Sequence, residues 1–252
     1  MQQSNDSWQA SAAEISRYIM QPLQQLMPEL ARRCPDGRLP DSYLVVDVET
    51  SGFRHSPSDP RVKPDVVVQL GYAVVRDRKL VECTDILLKR PPGTMSAGAS
   101  RVTGITDEIL ADGVEPALVY EQFVELCNVF RGAKMMFIGH NMIFFDAPFI
   151  AADSARCGHP FKFAAGEILD SGVIYKAGQM RVIPNARENL HTFMLRVANT
   201  HSRVKWNLTL AIQSLGIDKA NGLDMSKAHA AGFDCQVTHL LIEELRKLGG
   251  LA

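Results

Sequence analysis

The sequence predicts an α/β fold in which a mixed sheet is flanked by helices. Three observations carry that expectation. Tyr43 to Glu49 is a nearly unbroken β-prone run, the pattern of a strand buried on both faces. Two further β-prone runs, about Val66–Val75 and Leu80–Lys89, flank Arg76-Asp77-Arg78, which suits a tight hairpin turn. Beyond them helical and short β-prone segments alternate, which argues for a layered sandwich rather than a barrel.

The elements follow in chain order. Ile15, Ile19, Leu23, Leu26 and Leu30 have helical spacing, which Pro22 and Pro28 are expected to interrupt. Cys34-Pro35-Asp36-Gly37 is a stop signal and Pro40 lies in a linker, so residues 1–40 are expected to form a helical arm on a main domain of residues 41–252. After the third strand, Pro91-Pro92-Gly93 breaks the chain. Helices are expected at Thr106–Ala111 and Pro116–Arg131, the second with proline at its start and Gly132 past its end. Met135–Gly139 reads as a fourth strand, Asp146–Cys157 as a helix and Ile168–Asp170 as a short fifth strand, with Asp170 capping or terminating it. Residues 176–205 read as an irregular, basic insert. A helix over Trp206–Leu215, a turn at Asn221-Gly222 and a final helix over Gly232–Leu248 complete the chain.

Bulk properties exclude several classes. The 252 residues are 46% hydrophobic and 22% charged, as in ordinary globular proteins, and suffice for a full core. A net charge of -1 means that a nucleic-acid partner must be held by a local patch or by metal ions. Cys34, Cys83, Cys127, Cys157 and Cys235 are scattered and odd in number, which argues against a disulfide framework and a zinc site. His191, His201 and His239 also lack zinc-ligand spacing. No basic, apolar leader and no run of ~20 apolar residues is present, so a reduced, cytoplasmic protein without membrane association is expected. Phosphate loops and dinucleotide-binding glycine turns are missing, so nucleotide-triphosphate hydrolysis and a dinucleotide cofactor lack support.

Three sets of residues carry chemistry. Asp47 and Glu49 are two apart on the first strand and therefore share a face. Their repulsion and desolvation call for compensation, most simply a divalent cation such as Mg2+ or Mn2+, which prefers oxygen ligands. The alternative is an exposed strand end where both acids are solvated. Asp146 closes the run His140–Asp146 and opens a helix, where it could equally be a cap. His229 and Asp234 are five apart and converge only if His229 lies in a loop before the helix carrying Asp234, a break that Gly232 permits.

In this order, Asp47-x-Glu49, Asn141-x-x-x-Phe145-Asp146 and His229-x-x-x-x-Asp234 resemble the three motifs of the DEDDh 3′-to-5′ exonuclease superfamily. The motif detail is most similar to ribonuclease T and to the proofreading exonuclease subunit of bacterial DNA polymerase III. The segment Ser100–Thr106, with Thr103-Gly104-Ile105, resembles the family's substrate-side loop. The resemblance spans roughly residues 41–248. It implies a ribonuclease-H-like fold with a mixed five-stranded sheet flanked by helices. It further implies two divalent metal ions held by Asp47, Glu49, Asp146 and Asp234, with His229 as general base. The implied reaction is stepwise hydrolysis from the 3′ end of single-stranded DNA or RNA, releasing nucleoside 5′-monophosphates.

Phe53, Phe145 and either Phe161 or Phe163 match phenylalanines that stack on terminal bases in ribonuclease T; the alternative is that they fill the core. The insert carries Lys176, Arg181, Arg187, Arg196, Arg203 and Lys205 against the single acid Glu188, so Arg196 and Arg203 are expected to contact phosphates; the alternative is a solvated loop or contact with a sister subunit. Two readings stay beside the enzyme: a proofreading subunit with a polymerase partner, and a non-catalytic binding module. All five chemical positions are filled, which favours an enzyme. A homodimer and a polymerase or repair partner stay open.

Overall fold

The computed structural model describes residues 12–55, 63–164 and 166–251, with residues 12–18 as backbone alone. Helix α1 (Ala12–Ala31) leads to strand β1 (Tyr43–Thr50). Strands β2 (Val67–Arg76) and β3 (Lys79–Leu87) follow as an antiparallel hairpin. Asp77 and Arg78 form its two-residue turn with φ of 48° and 65°, the paired left-handed geometry that matches strand twist. Helices α2 (Ala97–Thr103), α3 (Asp107–Ala111) and α4 (Pro116–Gly132) precede β4 (Met136–Gly139). Helix α5 (Asp146–Arg156), β5 (Ile168–Asp170), α6 (Ser171–Met180), α7 (Leu190–Asn199), α8 (Leu208–Ser214) and α9 (Ile217–Asn221) come next. A 3-10 turn at Met225–Lys227 and helix α10 (Ala231–Leu248) end the described chain.

The five strands form one mixed sheet in the order β3-β2-β1-β4-β5. β1 pairs antiparallel with β2 and parallel with β4, and β4 pairs parallel with β5. This is the mixed five-stranded sheet expected, with β1 at its centre. Alternation along β1 feeds two cores. Tyr43 and Val45 join α1, α6, α7 and α10 on one face. Leu44, Val46 and Val48 join α4 and α5 on the other.

Two expectations about regularity fail. Pro22 and Pro28 do not interrupt α1, which runs unbroken for 20 residues. Leu23, Leu26, Met27 and Leu30 are fully buried in the α6–α10 core. Burying each such side chain contributes roughly 1.5–3 kcal/mol, against about 3 kcal/mol for each internal proline. Packing therefore outweighs the lost backbone bonds. Ile15 of that apolar stripe lies outside the described side chains, as do residues 1–11.

The second failure is residues 176–205, half of which lie in the helices α6 and α7 rather than in an irregular insert. Leu190, Phe193, Met194 and Val197 bury one face of α7. The basic residues there are partly structural. Lys176 is buried, and Arg196 makes a two-pronged pair with Glu188 at 2.7 Å and rests over the Phe193 ring. No helix among the described residues is long and apolar enough to cross a membrane.

Candidate active site

The sheet topology itself creates the crevice. β1, β4 and β5 are parallel, and the chain reverses its direction of sheet growth between β1 and β4. Ligands in open α/β sheets bind beyond the carboxyl ends of strands at such a switch point. Asp47 and Glu49 lie at that end of β1, His140 directly follows β4, and Asp170 ends β5. A cleft of about 840 Å³ opens there, and Asp47, Glu49, Asp146, His229 and Asp234 all line it.

Each acid arrives for a local reason. Asp47 and Glu49 continue the row of Tyr43 and Val45, on the sheet face that α10 covers. Asp146 comes from the other face, as the first residue of α5. It does not cap that helix. The N-cap is Phe145, without a side-chain bond, and Asp146 Oδ1 instead accepts the Val48 backbone N–H at 2.8 Å. Asp234 lies in the first turn of α10, and its Oδ2 accepts the His229 N–H at 3.3 Å. His229 precedes the helix in a left-handed conformation, φ 69°, and this bend lets residues five apart converge. Asn141 lines the same cleft with φ 67°. Left-handed residues other than glycine cost roughly 1–2 kcal/mol each and gather where function demands them.

The electrostatics are unbalanced. Burial, then the neighbouring Asp146, Asp234 and Glu49, pushes the Asp47 carboxyl well above its ordinary range. Burial, then Asp234 and Asp146, raises Glu49 to about 8. Burial raises Asp146 to about 7, opposed by the Val48 hydrogen bond. Burial raises Asp234 to about 6, opposed by His229. Among the described residues, no lysine or arginine pairs with any of the four. Ligand atoms of Glu49, His229 and Asp234 lie within 4.8 Å of one another. The four carboxylates offer the oxygen donors and surplus negative charge that hard divalent cations prefer, so these residues fit such ions.

Several residues that position this centre carry no motif. Gly71 is the cross-strand partner of Asp47, and a Cβ there would stand 2.5 Å from the Ala231 carbonyl carbon. Its bare backbone lets the start of α10 sit on the sheet beside Asp47. Gln69, opposite Glu49, accepts the Ala231 N–H at 3.0 Å. Asp170 does cap α6, accepting from Gly172 and Val173, and it also accepts from Asn141 at 2.9 Å and Ile143 at 3.0 Å. This stitches the loop before Asp146 to the end of β5.

The substrate-side expectations divide. Phe53, 85% exposed, and Phe145 line the cleft with ring centroids 6.2 Å apart. Thr103 and Asn141 line it too. The Ser100–Thr106 segment is not a simple loop: α2 ends at Thr103, Gly104 caps it, and Ile105 is buried against Val68 and Leu110. Phe161 and Phe163 pack in the core with Phe123 and Phe137 and do not line the cleft, so the core reading holds for both. Arg196 is committed to Glu188, and neither it nor the exposed Arg203 lines the cleft. Among the described lysines and arginines, the cleft is lined instead by Arg101 and Lys205.

The RNase_T family profile, described as exonuclease, matches residues 44–239. No curated protein matches by sequence. Solved structures of E. coli exonuclease I share the fold. The one in complex with a dA16 oligonucleotide has a TM-score of 0.58 at 18% identity, covering 82% of this chain and 41% of that one. The zinc-bound complex with single-stranded DNA has a TM-score of 0.57 at 20% identity, covering 83% and 42%. The chain thus spans about two fifths of the length of exonuclease I.

Proposed function

Because the chain belongs to the RNase_T exonuclease family, a family of nucleases, we propose that it is a 3′-to-5′ exonuclease. It removes nucleotides one at a time from single-stranded DNA or RNA and releases nucleoside 5′-monophosphates. The observation that carries this reading is the convergence of Asp47, Glu49, Asp146, Asp234 and His229, from three separate chain segments, in one cleft.

Asp47, Glu49, Asp146 and Asp234 would hold two divalent cations, Mg2+ or Mn2+. When bound, these stabilise the charge that develops as the phosphodiester is hydrolysed. His229, exposed at the cleft and held beside Asp234, takes the proton from the attacking water at a ring nitrogen. Phe53 and Phe145 offer an aromatic wall to the terminal base, and Asn141, pinned by Asp170, frames the approach to Asp146. Retention of every acid and of the histidine favours an enzyme over a passive binding module on this fold.

The test is digestion of 5′- and 3′-labelled single-stranded DNA and RNA with magnesium, manganese or EDTA. A ladder shortening from the 3′ end only with metal is expected. Internal cleavage, or cleavage that survives EDTA, would overturn the reading. The relative rates on the two nucleic acids give the preference.

A further inference from the structure

The cleft has a second wall that the five chemical residues do not explain. Val204 to Leu208 line it, with Trp206 half-buried and Lys205 exposed. Trp206 has two environments. One part of the side chain packs toward the core, where a Cβ on Gly172 would stand 3.0 Å from ring atoms Cε3 and Cζ3. The residue is also among those lining the cleft.

This wall is anchored with unusual care. His140, 9% exposed, uses Nε2 to hold the Trp206 carbonyl at 2.7 Å. Lys176, 4% exposed, places its ammonium over the Trp206 ring, 5.3 Å from the centroid. The same ammonium donates to the carbonyls of Ala198 at 3.0 Å and Thr200 at 2.9 Å. One buried polar side chain thus holds the main chain of the wall, and a second ties the Trp206 ring to the end of α7. Lys205 beside Trp206 has no acidic partner among the described residues, although it borders a cleft rich in carboxylates.

We propose that Trp206 and Lys205 form a subsite for the nucleotide on the 5′ side of the scissile bond. Trp206 is the platform for its base and Lys205 the cation for its phosphate. The inference rests on the nuclease reading above and deepens it. Phe53 and Phe145 already serve one base, and a cleft of about 840 Å³ has room for more of the strand. Base stacking on an aromatic ring is indifferent to sequence, as stepwise degradation requires. His140 and Lys176 are positioning residues that act through the wall.

Two substrates separate the subsite from the reaction. p-Nitrophenyl thymidine 5′-monophosphate carries a terminal nucleotide and nothing nucleotidic beyond the scissile bond, whereas a single-stranded 12-mer fills both positions. Trp206→Ala is expected to lower the ratio of kcat/KM on the 12-mer to that on the small ester at least tenfold, and Trp206→Phe to restore most of it. Lys205→Ala is expected to reduce the dependence of oligonucleotide KM on salt by about one counterion. A Trp8→Phe protein, in which Trp206 is the single tryptophan, is expected to lose fluorescence on titration with the 12-mer in calcium, a readout that needs no alanine variant to fold. An unchanged ratio, or unquenched fluorescence at saturation, overturns the subsite. Failure of the wild-type protein to cleave either substrate overturns the nuclease reading instead.

Discussion

Helix α5 carries two buried aspartates seven residues apart, and their surroundings are opposite. Asp153 is fully buried and surrounded by partners: Arg90, Tyr120 at 2.9 Å and Arg156 at 3.0 Å. Arg90 also donates to the Val67 carbonyl, tying the helix to β2. Asp146, 1% exposed, accepts from the Val48 backbone and has the carboxylates of Asp47, Glu49, Asp170 and Asp234 for company. The first arrangement is satisfied within the protein. The second has no cation beside it among the described residues. That contrast is what the divalent cations proposed above would account for.

The largest effect that would sharpen this contrast is in Asp146→Asn. Asparagine keeps an oxygen for the Val48 N–H but loses the charge. Turnover should fall on the order of 10³-fold or more, while the Tm of the metal-free protein rises, because one repelling charge is gone. A fall in Tm would break the comparison. His229→Ala should follow, lowering kcat by about 10²–10⁴-fold while calorimetry still detects magnesium binding. Asp153→Ala should do the reverse of Asp146→Asn. It strands Arg90 and Arg156 and should cost about 3–5 kcal/mol in denaturant unfolding, with kcat per folded molecule unchanged.

The smallest expected effect is on pH dependence. Glu49, Asp146 and Asp234 are raised to about 8, 7 and 6 from ordinary values of 4.5, 3.8 and 3.8. The folded state therefore binds more protons than the unfolded state between pH 4 and 8, and metal-free stability declines as pH climbs through that window. Cations replace those protons, so magnesium should raise Tm more at pH 8 than at pH 5. A flat metal-free profile would show that the acids are not gathered as described.

How much of this was legible in the sequence depended on range. Asp47 and Glu49 share a face because strands have period two, a local fact. That Asp146 and Asp234 join them was readable only from motif order, since the contact spans sheet faces and distant segments. The clamp made by Gln69 and Gly71 was invisible, because a glutamine and a glycine in a strand announce nothing until α10 is laid across them. Phe161 and Phe163 looked like stacking residues because aromatic chemistry is the same in a core as in a cleft. The α7 spacing of Leu190, Phe193, Met194 and Val197 was available, but the charges between them suggested a loop.

The way α1 is seated has a bearing on how the chain can be divided. Its Leu23, Leu26, Met27 and Leu30 side chains fill a trough between α6 and α10. Cutting the polypeptide at residue 40 would open a greasy furrow along the back of the sheet, on the same helices that brace the Trp206 wall and deliver Asp234. A fragment starting at Asp41 is therefore expected to self-associate through that furrow, and one starting upstream of Leu23 is expected to stay monomeric.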